Sequence, residues 1–402
     1  MTHHDHHDND IVLAAPVRTP IGKFGGVFSS LSAADLGTVA ATGALERAGL
    51  APASVDQVIF GHGRQAGGGP NTARQIGFRA GVPVDRPAYT VNQACASGLQ
   101  AVLSAARTIL NGEARVILAG GTESMSNTPY LLPRARWGYR MGHAEIVDGM
   151  YQDGFNDPLS KLVMGETAEE LAAETGIDRA ASDAYALESQ LRCERARGEN
   201  RFVSEIVPVK VAGRKGETTV TTDEHPRDGM TIEAMTKLPA VFREGGVVSA
   251  GNASGITDGA AAIVVASRAA ARELGLPIVA RLVGWEVVGV DPRIMGIGPV
   301  PAVRKLLAKT GLDKGAIDEV ELNEAFAAQV LACNQELAFD PARLNPDGGA
   351  IALGHPIGAT GARILVTLLH GMEKRGGERG IATLCVSGGM GIAALVQREA
   401  AA

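Results

Sequence analysis

Three segments near the start of the chain return in the same order near its end. SVDQVIFGH (54–62) parallels AIDEVELNE (316–324), where an apolar residue, Asp, a polar residue and Val lead into a strand. ACASGLQAVLSAARTIL (94–110) parallels HPIGATGARILVTLL (355–369), a small-residue joint followed by an apolar helix. ARVILAGG (114–121) parallels IATLCVSGG (381–389). One such likeness means little between Gly- and Ala-rich segments. Three in one order imply a duplicated βαβαβαβ unit, which restricts the chain to a layered α/β fold.

The local pattern agrees. Residues 11–20 read as a strand and turn, and 31–50 as a helix closed by Gly49. Residues 55–63 read as a strand entering a Gly-rich loop, followed by a helix from NTARQIGFRAG with Asn71 as its cap. Tyr89, Thr90 and Val91 have strand character; Leu99, Val102, Leu103, Ala106 and Leu110 have helical spacing. From Ser126 to about Asn252 the rhythm breaks into an inserted region of mixed structure. It resumes after Ile278 and ends in two strands around a tight turn at VSGGMG.

If the halves pack about a pseudo-twofold axis, their matching loops meet. The Cys95 loop matches the His355 loop, and Cys385 arrives from the last hairpin, giving one site with two thiols and an imidazole. Cys95 falls beside a helix N-terminus, where free N–H groups and the dipole favour an anion. A neighbouring His and that helix end predict an enhanced thiolate fraction and a nucleophile able to take an acyl group from a thioester. A second thiol suits proton exchange at the carbon next to a thioester carbonyl. Taken singly, each residue has a plainer reading. Cys95 is a small core residue, as Cys193 and Cys333 are read here, and His355 is a structural histidine. Asn323 caps a helix, and Gly388 and Gly389 shape a turn. Their coincidence in matching loops favours chemistry.

Bulk properties exclude other classes. The net charge of −6 with mixed signs argues against nucleic acid as the main partner. The four cysteines, Cys95, Cys193, Cys333 and Cys385, show no paired spacing, which predicts a reduced, cytoplasmic protein. The longest uncharged run, Pro87 to Ala106, carries too many polar residues for a membrane span. The opening MTHHDHHDND has no apolar core or Arg and is not a signal peptide; it reads as a disordered tail or a loose metal-binding tract.

VNQACASGLQA, AGNASGITDGAAA, ELNEAFAAQ, NPDGGAIALGHPIGATGAR and LCVSGGMG resemble the signature blocks of the thiolase family, over about Ile11 to Gln397. The resemblance implies two βαβαβαββ halves in α-β-α-β-α layers plus an inserted loop domain. The halves would be 1–124, completed by about 257–277, and 278–402, with the loop domain at 125–256. It implies acetyl-CoA C-acetyltransferase activity, or a broader 3-ketoacyl-CoA thiolase of fatty-acid β-oxidation, in a homo-oligomer, a tetramer rather than a dimer. RARWGYRMGHAEIVDGM resembles the loop by which some members form tetramers. Coenzyme A thioesters would be substrates, with no cofactor and no metal.

By matching motifs, Cys95 would carry the acyl group, His355 would activate it, and Cys385 would exchange the α-proton. Asn323 would hold a water that forms one oxyanion hole with His355; the N–H groups of Cys95 and Ser387 would form the other. Arg227 resembles the residue meeting the adenine end of coenzyme A, Ser254 in AGNAS resembles a pantetheine contact, and Ala250 would be a further coenzyme A contact. Met164, Phe242, Met295, Ala325 and Phe326 would line the tunnel.

Two positions depart from the family pattern. Ser387 replaces a frequent Gly, which would strain a left-handed backbone. Val163 replaces a frequent His of short-chain members. A nicotinamide-dependent oxidoreductase, suggested by GHGRQAGGG, fails on spacing, and a non-catalytic acyl-CoA carrier fails on the intact Cys95, His355 and Cys385.

Overall fold

The computed structural model describes residues 8–213 and 216–399. The histidine-rich tract at 3–7 lies outside them. The first half runs β1 (Ile11–Arg18), α1 (Ala33–Ala48), β2 (Gln57–Gly61), α2 (Thr72–Arg79), β3 (Ala88–Val91), α3 (Ser97–Leu110) and β4 (Val116–Ser124). An intervening region carries α4 (Met164–Thr175) and α5 (Arg179–Gly198), followed by β5 (Thr257–Ser267). The second half runs β6 (Ile278–Gly289), α6 (Pro299–Thr310), β7 (Glu319–Leu322), α7 (Ala327–Leu337), α8 (Ile357–Arg375), β8 (Arg379–Val386) and β9 (Met390–Arg398). No described helix is long and apolar enough to cross a membrane.

Local chemistry sets these limits. Asp35 N–H donates to the Ser32 hydroxyl at 3.2 Å and Ser32 N–H donates to the Asp35 carboxylate at 2.9 Å, a reciprocal cap that starts α1. Gly49, left-handed at φ 61°, ends it. Asn71 caps α2, accepting from Arg74 N–H at 3.2 Å. The run TDGAAAIVVAS of β5 lacks polar alternation because both its faces are buried.

Among the described residues, nine strands of a ten-stranded sheet follow the order β7-β8-β9-β6-β1-β5-β4-β2-β3, and the two-residue strand Gly22–Lys23 pairs beside β5. The duplication is visible in the pairing. β1 is antiparallel to β5, β5 antiparallel to β4, and β4 parallel to β2. In the second half β6, β9, β8 and β7 repeat that sequence of antiparallel, antiparallel and parallel neighbours. Val58 faces Leu118 in one half and Val320 faces Ile381 in the other. One proposed parallel shifts. Ile117 corresponds to Gly380 by pairing, so Gly120 and Gly121 match Thr383 and Leu384, not Gly388 and Gly389. The glycine pairs share composition without sharing a place.

The half-sheets join edge to edge through β1 and β6, making one continuous ladder. They fold around α3 and α8, whose apolar faces form the central core with both half-sheets. Helices α1 and α2 cover the outer face of the first half, and α6 and α7 that of the second. The intervening region is tied down by charge. Buried Arg18, at the end of β1, donates to Glu205 at 2.5 Å and to Asp223 at 2.6 Å. The Glu324 carboxylate accepts from Tyr185 at 2.8 Å and Ser189 at 2.7 Å, both on α5.

Candidate active site

Cys95 sits two residues before the start of α3, on a strained turn. Ala94 before it has φ 44°, a left-handed conformation costly for a residue with a side chain. Polar neighbours hold the turn. Asn92 accepts from Ala94 N–H at 3.0 Å; the Ser97 hydroxyl accepts from Gln93 N–H at 2.9 Å and donates to Ala94 C=O at 2.6 Å. Of the four cysteines only Cys95 is partly exposed.

His355 sits two residues before the start of α8. Its N–H donates to Gly255 C=O at 3.0 Å. Its ring Nδ1 lies 2.6 Å from the Thr360 hydroxyl, which donates its own proton to Pro356 C=O at 3.0 Å. The hydroxyl therefore accepts from Nδ1–H, and Nε2 keeps its lone pair. Nε2 is buried and has no partner among the described residues.

Glycines let the two helix starts meet. A Cβ on Gly98 of α3 would stand 2.8 Å from Ala362 N of α8, and one on Gly361 of α8 would stand 2.8 Å from Leu99 Cβ of α3. Larger residues would push the halves, and the two side chains, apart. Cys385 enters near the end of β8, just before the three-residue loop Ser387–Gly389. Gly388 (φ 85°) and Gly389 (φ 81°) take the left-handed positions of that loop. Ser387 does not, so the strain foreseen there is absent.

Cys95, His355, Cys385 and Ser387 line one cleft. Ser254, Met164, Phe242, Met295, Ala325 and Phe326 also line it, as does Val163. Asn323 is buried beside Ala325 but does not line the cleft, and neither amide atom of its side chain has a partner among the described residues. It is no helix cap; Phe326 holds that position on α7. Arg227 and Ala250 are exposed and lie outside the cleft lining.

The electrostatics correct one expectation. Burial pushes the Cys95 thiol up; the Arg64 charge and the N–H groups of Ser387 and Cys95 oppose this only in part. Cys95 is therefore a thiol at neutral pH, and the predicted enhancement of resting thiolate is not found. Burial raises Cys385 well above the ordinary thiol range, with the Cys95 sulfur adding to it, and pushes Cys333 up to about 12. Burial, reinforced by Arg363 and Arg64, lowers His355 to about 3. The resting pair is a thiol sharing a cleft with a neutral imidazole whose free lone pair can take the thiol proton as sulfur attacks.

Sequence reasoning passed over three participants. Thr360 fixes the His355 tautomer. Arg64, in the loop after β2, lines the cleft, as does Phe155. The available signal for Arg64 was a lone charge in a Gly-rich loop at the C-terminal end of a parallel strand, where α/β folds place ligands.

Residues 11–269 match the family model for the thiolase N-terminal domain, and residues 276–398 that for the thiolase C-terminal domain. An acetyl-CoA acetyltransferase of Pseudomonas aeruginosa is 49% identical over 391 residues, spanning 97% of this chain and 100% of that protein. The crystal structure of the Bacillus anthracis acetyl-CoA acetyltransferase aligns at TM-score 0.95 with 44% identity, covering 97% of this chain and 99% of that one. That of human mitochondrial 3-ketoacyl-CoA thiolase in complex with CoA aligns at 0.94 with 41% identity, covering 98% and 99%. With both domain models matched in order and full-length relatives this close, the chain belongs to the thiolase family.

Proposed function

We propose that the protein is an acetyl-CoA C-acetyltransferase, joining two acetyl-CoA molecules into acetoacetyl-CoA and CoA through an acyl-cysteine. The observation that carries this reading is the convergence of Cys95, His355 and Cys385 on one cleft from opposite halves. His355 Nε2 takes the Cys95 proton as sulfur attacks the thioester carbonyl. The departing CoA sulfur takes the Cys385 proton, leaving the acetyl group on Cys95, an imidazolium and a Cys385 thiolate.

That thiolate is a strong base, suited to the weakly acidic α-carbon of the second acetyl-CoA. The resulting enolate oxygen is met by the imidazolium Nε2–H and by a water on Asn323, whose buried amide has no other partner among the described residues. The α-carbon attacks the acetyl group on Cys95. The tetrahedral oxyanion is met by the N–H groups of Cys95 and Ser387, and collapse expels Cys95, which recovers its proton from His355. Two thiols and an imidazole handle every proton transfer, and the nucleophiles are the Cys95 sulfur and the substrate α-carbon, so the reading assigns no cofactor and no metal.

Ser254, Met164, Phe242, Met295, Ala325 and Phe326 would hold the pantetheine arm, with Ala250 and Arg227 toward the nucleotide at the surface. A broader 3-ketoacyl-CoA thiolase is the second reading, favoured by apolar Val163 and by the further apolar lining that Tyr151 and Phe155 give the same cleft. The ratio of kcat/KM on acetoacetyl-CoA to that on a longer ketoacyl-CoA decides between them, and a ratio not favouring the short substrate removes the narrower name. The reading extends to a cytoplasmic homotetramer of fatty acid metabolism. The unpaired thiols fit a reducing compartment. Trp137 (86% exposed) and Met141 (94%) offer apolar surface in the segment assigned to tetramer contacts.

Intact-mass measurement after mixing with acetyl-CoA tests the core of the reading. One acetyl adduct is expected, mapping to Cys95. No adduct, or an adduct confined to Cys193 or Cys333, overturns it.

A further inference from the structure

The cleft contains a cation that the reaction above does not use. Arg64 is only 7% exposed, yet no guanidinium N–H has a hydrogen-bond acceptor among the described residues. Its Cζ lies over the Phe155 ring, 5.8 Å from the centroid. A carboxylate is near but already occupied. Glu123 accepts from His62 Nε2 at 3.1 Å and from the N–H groups of Gly63 at 3.1 Å, Arg64 at 3.1 Å and Gly358 at 2.9 Å. Four donors fill the carboxylate's lone-pair sites, so it has none left for the guanidinium.

The surroundings make room for this side chain. A Cβ on Gly154 would overlap the guanidinium. Gly154 belongs to the π-helical turn Tyr151–Phe155, a rare backbone geometry. The neighbouring wall is apolar: Met125, Ile357 and Phe155 pack together with Cys95. Nε is buried without an acceptor, and the two Nη atoms open to the cleft, where water or a ligand must complete them. The planar fork matches a carboxylate in bidentate geometry.

We infer that Arg64 is a specificity residue that binds the terminal carboxylate of an acyl chain carried on Cys95. The enzyme then accepts ω-carboxyl acyl thioesters, and 3-ketodiacyl-CoA for cleavage, alongside acetyl and acetoacetyl substrates. This rests on the acyl-Cys95 reading. In the loading step the C–S bond to coenzyme A breaks and the C–S bond to Cys95 forms. The Cys95 proton passes to His355 and the departing sulfur is protonated by Cys385, as for acetyl-CoA. Arg64 takes no part in bond making; it holds the far end of the chain.

The test compares rates of Cys95 acylation by intact mass, using succinyl-CoA against butanoyl-CoA and glutaryl-CoA against pentanoyl-CoA, with acetyl-CoA as reference. The wild-type protein should favour the carboxylated member of at least one pair by about tenfold or more, the scale of a charge-assisted pair. Arg64→Leu should reverse that preference, and Arg64→Lys should retain part of it. No wild-type preference in either pair overturns the inference without any variant being needed. An equal loss with all thioesters in Arg64→Leu overturns it too, since Arg64 would then act on Cys95 alone. Failure of acetyl-CoA itself to acylate Cys95 in the wild type counts against the acyl-enzyme reading.

Discussion

The starts of α3 and α8 occupy equivalent places in the two halves, and each carries its functional residue two positions upstream. There the likeness ends. Cys95 rides a strained turn, keeps some exposure and has its proton free to leave. His355 is buried and pinned at the backbone by Gly255 and at Nδ1 by Thr360. Duplication supplies two matched mounts, and divergence at those mounts supplies a nucleophile on one and a base on the other. The strain lies beside the group that forms and breaks bonds; the rigidity lies beside the group that must aim a lone pair.

The sharpest way to break the comparison is to remove one mount's residue at a time. Cys95→Ala should abolish turnover, by roughly 10⁴-fold or more, with no acyl adduct. His355→Gln should cost about 10²- to 10⁴-fold in kcat/KM, the range of a lost general base, and should still acylate slowly. Equal and complete loss of acylation in both variants would remove the division of labour. A smaller effect follows from the pin. Thr360→Val should lower kcat by roughly 10- to 100-fold by freeing the imidazole to change tautomer and aim, and Thr360→Ser should restore most of it. A Val variant with wild-type kcat and pH profile would show that the hydroxyl is only structural.

A further effect is on stability. His355 falls from 6.5 to about 3 on burial, so between those values the unfolded chain binds the proton and the folded one does not. Its contribution is fully present above about pH 6.5 and is lost as pH falls toward 3. Denaturant titrations of wild type and His355→Gln should therefore diverge in slope across that window, the variant losing less on acidification. Parallel curves would place the imidazole in water.

Much of this frame is legible in the chain. Ser32, Asp35 and Gly49 announce α1, and Asn71 announces α2, because caps are local chemistry. Cys95 and His355 are legible because the duplication puts them in matching loops. What could not be read depends on tertiary neighbours. The parallel between Gly120–Gly121 and Gly388–Gly389 fails because composition does not record register. The raised Cys95 thiol follows from walls supplied by distant segments. Arg64 reads as a solvated charge until the turn at Tyr151–Phe155 is seen to cover it. The Thr360 contact reads as one more small residue in GATG until α8 folds its hydroxyl back toward His355.

The central claim is that one cleft, built across the two halves, assigns acyl transfer to Cys95 and proton exchange to Cys385. It is tested most directly by following deuterium entry into the methyl group of acetyl-CoA in D₂O, alongside acyl-adduct mass, for wild type and Cys385→Ala. The account predicts exchange and adduct in the wild type, and adduct without exchange in the variant, where the imidazolium protonates the departing sulfur instead. Exchange at the wild-type rate in Cys385→Ala would contradict it.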